Sequence, residues 1–367
     1  MSRIRFVTLF SVFAFAFGTS AFSASTITYA VGPCRPDVRS FSRISHALAA
    51  VPSANVIDVC PGTYDEQLQI TQPVTLKGVS NGTSARAVIT PPAHGLVTNA
   101  MDDFGNPLAV QLWVNNASEP VNIINLTVDG GSGNGVSPSA VVVGIFYQNS
   151  SGTVSQVVTR GQGSVNGGVN GVGVWAEGGS SNPLVTIENS SIHDFTESGI
   201  QVETNSATPE LTAVIKGNKV NANSIGILIG GGSAVTVTSN LVTGQLGGIS
   251  ALPFSGLSAS GSISGNTLVD DGIGIEISAD GISVTSNKIF NSGRGIYVNT
   301  AIATIQTNSI SNSVNDSIGI DFNCSANPNV HSNIITDVRT AIDNIPSTIS
   351  TRNTYFNVDK IHGVVCP

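Results

Sequence analysis

The chain has 367 residues, of which 10% are charged, with 40 glycines and a formal net charge of −8. So few charges and an acidic balance argue against a nucleic-acid partner, which rewards clusters of lysine and arginine. Disorder is excluded as well, because β-branched apolar residues recur in strand-like alternation along the whole length.

In chain order, Arg3 and Arg5 precede a short apolar run from Phe6 to Phe17, and Ala21 and Ser23 occupy the −3 and −1 positions of a cleavage site. This pattern is that of a secretory signal peptide over 1–23, too short and wrongly flanked for a membrane span. The expected localisation is secreted, periplasmic or cell-surface. The remainder, 24–367, reads as one domain with an N-terminal cap at about 28–60, coils at about 56–345 and a C-terminal cap at about 346–367. Ser40 to Ala50 carries Phe41, Ile44, Ala47 and Leu48 at helical spacing, which predicts a short amphipathic helix. Short strands follow at Val56 to Val59, Leu68 to Ile70 and Val74 to Lys77.

Further on, a repeat takes over. The pattern [Ile/Val]-x-x-Asn-x-[Val/Leu/Ile] occurs around Asn218, Asn240, Asn266, Asn287, Asn308 and Asn333, at spacings of 22, 26, 21, 21 and 25. A glycine landmark follows in register: Gly226-Ile227, Gly248-Ile249, Gly274-Ile275, Gly295-Ile296 and Gly319-Ile320, with Ala341-Ile342 as a variant. Weaker units precede them at Gly144-Ile145, Gly173-Val174 and Ser190 with Gly199-Ile200. A period near 21 with two or three short strands per unit is one coil of a solenoid, because a single unit cannot bury its inward side chains without neighbours. Ile282, Val284, Ile289, Ile296 and Val298 should point inward in one coil. The repeated asparagines should form an internal hydrogen-bonded row and adopt the αL backbone at the bend. The Asn-x-Ser/Thr triplets then follow from composition rather than from glycosylation. The stretches 161–171 and 203–209 read as protruding loops, and Ile345 to Pro367 as a cap that has lost the repeat. With both ends capped, a monomer is expected.

Four cysteines allow three pairings. Along a solenoid, residues distant in sequence are distant along the axis, so Cys34–Cys60 and Cys324–Cys366 are the pairings that geometry permits.

Two features resemble the pectin-lyase-like superfamily of right-handed parallel β-helix proteins. One is the opening Ile44-x-x-Ala47-Leu48, Val56-x-Asp58-Val59, Pro61-Gly62-Thr63-Tyr64 and Val74-x-Leu76-Lys77-Gly78, which is similar to a shared N-terminal cap and first coil. The other is the array of Asn-x-[Ile/Val/Leu] and Gly-Ile units. The resemblance implies an all-β solenoid with a short N-terminal capping helix, and it is weak on activity, since the same repeats serve lyases, hydrolases, epimerases, esterases and non-catalytic proteins. The methylesterase pattern has only Glu66 near Pro-Gly-Thr-Tyr. Asp270-Asp271 is similar to half of the polygalacturonase pattern but lacks the following Gly-His-Gly and Arg-x-Lys. No local signature of a pectate lyase stands out.

Stacking itself points to candidate residues. Positions two after each landmark glycine should point outward in a column: Phe146, Trp175, Gln201, Leu228, Ser250, Glu276, Tyr297 and Asp321. A second column holds Gln148, Glu177, Glu203, Gly230, Ser278, Asn299 and Asn323. Aromatic faces and carboxyl or amide groups along a groove suit a sugar chain, so Phe146, Trp175, Gln201 and Tyr297 are the expected binding residues. Glu276 and Asp321, two coils apart at roughly 9–10 Å, with Arg294 beside them, are the expected catalytic group. No cofactor is required; a Ca²⁺ ion would use Asp270 and Asp271, with Asp280 or backbone carbonyls. The expected partner is a polysaccharide or cell-surface glycan, acted on by lyase or hydrolase chemistry. The competing expectation is a non-catalytic adhesive or structural β-helix, with whether it is an enzyme left open.

Overall fold

A computed structural model describes residues 27–366 except 51, 53–54, 81–85, 132–139, 164–169, 180, 207–210, 222–223 and 347–351; the signal peptide expected over 1–23 therefore lies outside the described residues. Thirty-five strands and one helix are present among the described residues. Strands pair in parallel with the strand three places on, as Leu211–Lys216 does with Ser233–Thr238, Lys219–Asn221 with Leu241–Thr243, and Ile225–Ile229 with Gly247–Ala251. Each coil therefore contributes one strand to each of three parallel faces. This is the right-handed parallel β-helix that the resemblance implied.

One continuous, mainly aliphatic cluster fills the interior from Val31 to Ile345, and Ile282, Val284, Ile289, Ile296 and Val298 all lie in it, fully buried. Parallel faces expose no inward backbone polar group except at the bends, and there the asparagines work. The Asn240 carboxamide oxygen accepts the backbone N–H and Nδ2 of Asn218, both at 3.0 Å, while its own Nδ2 donates to the Ile215 carbonyl and to Asn266 Oδ1. The same contacts pass through Asn266, Asn287, Asn308 and Asn333 to Asn353. The αL residue is not the asparagine, however. Positive φ falls one place earlier, at Gly217, Ser239, Gly265, Ser286, Thr307 and Ser332. That turn swings the chain so that the following asparagine projects inward, where its amide can cap the coil below.

The N-terminal helix is shorter than its periodicity suggested, Ile44–Ala50, because Ser40–Phe41 pairs with Thr28–Val31 as a strand. Buried Glu66 caps it, accepting the backbone N–H groups of Ile44 at 2.8 Å and Ser45 at 3.0 Å. Both expected disulfides are formed, Cys34–Cys60 and Cys324–Cys366. Their presence fits an oxidising compartment. No helix among the described residues is long and apolar enough to cross a membrane.

At the other end, the stretch expected to cap the stack without the repeat contains a further strand. Arg352–His362 pairs in parallel with Asn329–Asp343 and adds one more coil, with Asn353 continuing the amide row. Its strand positions lack the aliphatic alternation because only one side of that coil has a neighbour to pack on.

Candidate functional site

The outward column exists in the register expected. Trp113 pairs with Phe146, Phe146 with Trp175, Trp175 with Gln201, Gln201 with Leu228, and the row continues through Ser250, Glu276 and Tyr297 to Asp321. Its surroundings differ between the two halves of the solenoid. In the C-terminal half, the Arg294 guanidinium bonds Asp321 at 3.0 Å and lies 5.0 Å from the centre of the Tyr297 ring. The other Asp321 oxygen accepts from Asn344 Nδ2 at 2.9 Å, so both oxygens of this buried carboxylate are engaged. Glu276 is half-buried, which raises its pKa, and it accepts a hydrogen bond from Ser250 Oγ at 3.5 Å.

The N-terminal half is largely covered. Phe146, Trp175, Gln201, Glu177 and Glu203 are each 5% exposed or less, because two turns outside the repeat fold down over them. The first is a hairpin in which Ala100–Met101 runs antiparallel to the start of Pro107–Asn115. Asp102 closes its turn, accepting the backbone N–H groups of Phe104 and Asn106 and the Asn106 side-chain amide. Glu177 pins the tip to the sheet: Oε1 accepts the Asp103 N–H at 2.7 Å and Oε2 accepts Gln148 Nε2 at 3.0 Å. Burial pushes this carboxyl up to about 9. Beneath the hairpin, Ala100, Leu108, Val110, Val143, Phe146, Val172 and Trp175 form an apolar cluster of their own, outside the main core. The second turn is closed by an antiparallel bridge between Phe254 and Leu257, with positive φ at Ser255 and Gly256. The Phe254 ring lies directly on Gly230, where a Cβ would come within 2.5 Å of the ring and 2.7 Å of Glu203 Cβ.

Between these walls is a cleft of about 550 Å³ whose lining includes Asp102, Phe104, Trp175, Glu197, Gln201, Glu203, Leu228 and Phe254. Phe104 and Phe254, from opposite walls, meet with ring centres 6.4 Å apart, and Trp175 is backed by Phe146 at 5.4 Å. Glu203 Oε1 accepts Gln201 Nε2 at 2.7 Å, and Gln201 is held in turn by Ser198 Oγ at 3.0 Å. Glu203 Oε2, Glu197 Oε2 and the Trp175 indole N–H are buried without a hydrogen-bond partner among the described residues. Buried polar atoms are normally paired, so three orphans on one cleft mark groups that a ligand would satisfy. Burial pushes Glu203 up to about 7, helped by the neighbouring acids Asp102, Glu197 and Asp103, and burial raises Glu197 also.

Of the expected binding residues, Trp175 and Gln201 line this cleft, Phe146 supports it from below, and Tyr297 stands apart against Arg294. Asp271 points into the interior, where Oδ1 accepts the Gln245 N–H at 2.9 Å, whereas Asp270 is an αL turn residue and Asp280 accepts the Ile302 N–H. These three acids do not converge, and no group of three or more His, Cys, Asp or Glu among the described residues is placed to hold a metal ion. The walls are also not the stretches expected. Glu203 ends the strand Ser198–Glu203 instead of opening a loop, while 164–169 and 207–209 lie outside the described residues. Asp102, Phe104, Glu197 and Phe254 escaped the repeat-based reading, since a period of 21 carries no information about insertions. Two signals pointed to three of them: the 26-residue step from Asn240 to Asn266 for Phe254, and the turn-forming run Asp102-Asp103-Phe104-Gly105-Asn106-Pro107 for Asp102 and Phe104; none pointed to Glu197, which lies between Ser190 and Gly199.

The sequence matches the family described as a right-handed beta helix region over residues 139–257. Three solved structures are similar in fold. The A-module of mannuronan C-5 epimerase AlgE4 from Azotobacter vinelandii matches with a TM-score of 0.62 at 17% identity, covering 88% of this chain and 92% of that one. An alginate lyase from Paenibacillus sp. str. FPU-7 matches at 0.51 and 16%, covering 83% and 97%. A GH136 lacto-N-biosidase from Eubacterium ramulus matches at 0.52 and 11%, covering 92% and 67%. No curated protein matches the chain in sequence. The chain thus has a right-handed parallel β-helix fold.

Proposed function

We propose that this is an exported glycan-acting protein that holds carbohydrate in the cleft between the 99–108 and 252–258 turns and exchanges a proton with it through Glu203. The observation that carries the reading is the Glu203 carboxyl itself: 2% exposed, oriented through one oxygen by Gln201, and unpartnered at the other, in a pocket lined by Trp175, Phe104 and Phe254. A positioned carboxyl with a free oxygen in a concave site is what general acid–base catalysis requires. With its pKa raised to about 7, Glu203 is present in both protonation states near neutrality and can give or take a proton. Glu197 supplies a second carboxyl on the same cleft. The aromatic rings offer faces for pyranose rings, and Gln201, Asn106 and the Trp175 N–H offer partners for hydroxyl groups. Three proteins of similar fold act, by their names, on carbohydrates, which supports the class of ligand. This reading puts proton transfer at Glu203 rather than at Glu276 and Asp321, because Asp321 is already held by Arg294 and Asn344.

The test is a screen of neutral and acidic polysaccharides for new reducing ends, unsaturated products and gel retardation, with the wild type and Glu203→Gln. Turnover in the wild type should fall at least about 10²-fold in Glu203→Gln with binding retained. Full turnover in the variant would refute the role of Glu203. Retardation without turnover in the wild type would leave a binding protein.

A further inference from the structure

We infer that the cleft is selective for neutral sugars and rejects uronic acids, a refinement that rests on the glycan-binding reading above. Asp102, Glu197 and Glu203 line the cleft and Glu177 lies beneath the first wall, whereas no lysine, arginine or histidine belongs to the lining. The internal segments outside the described residues contain none either. Of the basic side chains on the coils nearest the cleft, Arg160 pairs with Asp129 at 2.7 Å, Lys216 with Glu188 at 2.9 Å and His193 with Asp194 at 2.6 Å, while Lys219 belongs to the row of Ser191 and Leu241 on another face of the solenoid. A hexose differs from its uronic acid at C6, as a hydroxymethyl group against a carboxylate. The hydroxymethyl group can donate to the free oxygen of Glu203 or Glu197, which satisfies an orphaned acceptor. A carboxylate has no proton to donate there and meets the ionised fraction of these acids as like charge instead. For any separation of roughly 9 to 12 Å from one ionised neighbour, in an effective dielectric of about 20, that repulsion costs roughly tenfold to twentyfold in affinity. The remaining lining is apolar or amide, from Phe104, Trp175, Leu228, Phe254, Gln201 and Asn106, and is indifferent to the charge of the sugar.

Three oligomer pairs differing only at C6 test this: mannan against mannuronan, galactan against galacturonan, and glucan against glucuronan, with binding measured by calorimetry at pH 7 with and without Ca²⁺. At least one neutral oligomer should bind at least tenfold more tightly than its uronate partner, and Trp175→Ala should abolish that binding. Glu203→Gln, which preserves shape, should narrow the gap by removing a charge, as should lowering the pH to 5; a retained cooperative thermal transition would show that the variants are folded, at a lower midpoint for Trp175→Ala because that ring belongs to a buried apolar cluster. A uronate that binds as tightly as its neutral partner, with or without Ca²⁺, and is lost in Trp175→Ala would overturn the selectivity while leaving the glycan site standing. If no oligomer binds in a Trp175-dependent way, both readings fall.

Discussion

Replacing Asp271 by asparagine should stabilise the solenoid above neutral pH and leave it unchanged near pH 4. Asp271 is 3% exposed and occupies a row of polar residues at the second bend, with Gln245 on one side and Ser292 and Asn312 on the other. Oδ1 accepts the Gln245 N–H, and Oδ2 has no partner among the described residues. Burial pushes its pKa up to about 7, whereas in the unfolded chain it titrates near 3.9. The folded state therefore favours the protonated acid. Its contribution is fully present below about pH 4 and is lost as pH rises through about 7, because unfolding then releases a carboxyl to ionise freely. Three pKa units correspond to about 4 kcal/mol at the alkaline limit. For a fold of this size that is roughly 6 °C in unfolding midpoint. Asparagine keeps the Oδ1 acceptor and cannot ionise. The assay is the thermal midpoint of both proteins from pH 4 to pH 9. The difference between them should open between about pH 4 and 7 and then level off, and other titrating acids, Glu203 among them, cancel in it. A difference that is constant across the range would refute the assignment of a buried proton to Asp271.

Asn287→Ala should cost about 2–6 kcal/mol, read from denaturant midpoints, because it strips the Asn266 backbone N–H and the Ile263 carbonyl of their partners inside the core. A loss below about 1 kcal/mol would mean that water or a shifted coil replaces the amide. Gly230→Ala should leave the stacked core intact but push the Phe254 turn off Glu203, since the new methyl would stand 2.5 Å from the ring. Glycan affinity should fall at least about tenfold with little change in thermal midpoint, whereas equal affinity would show that the second wall plays no part in binding.

What the amino-acid sequence determined by itself is the part of the molecule in which neighbours in space are one period apart. Coil length, the inward set such as Val284 and Ile289, the buried asparagines from Asn218 to Asn333 and the two local disulfides all follow from a repeat near 21, because each coil packs only on the next. Small shifts at bends and ends were not legible in that pattern. The αL residue precedes each asparagine, and the last coil pairs through backbone hydrogen bonds that need no aliphatic signature. The unbroken apolar runs Val141-Val142-Val143 and Val172-Gly173-Val174-Trp175 did signal strands covered on both faces. They could not say by what. Only the tertiary structure decided that, by laying Phe104 and Phe254, 150 residues apart, against one another over Trp175, Gln201 and Glu203. Insertions lie outside the period and leave the sequence pattern blind to their direction, so the cleft arises from where the coil stack carries each insertion, and burial under those turns, not residue type alone, raises the pKa of Glu203.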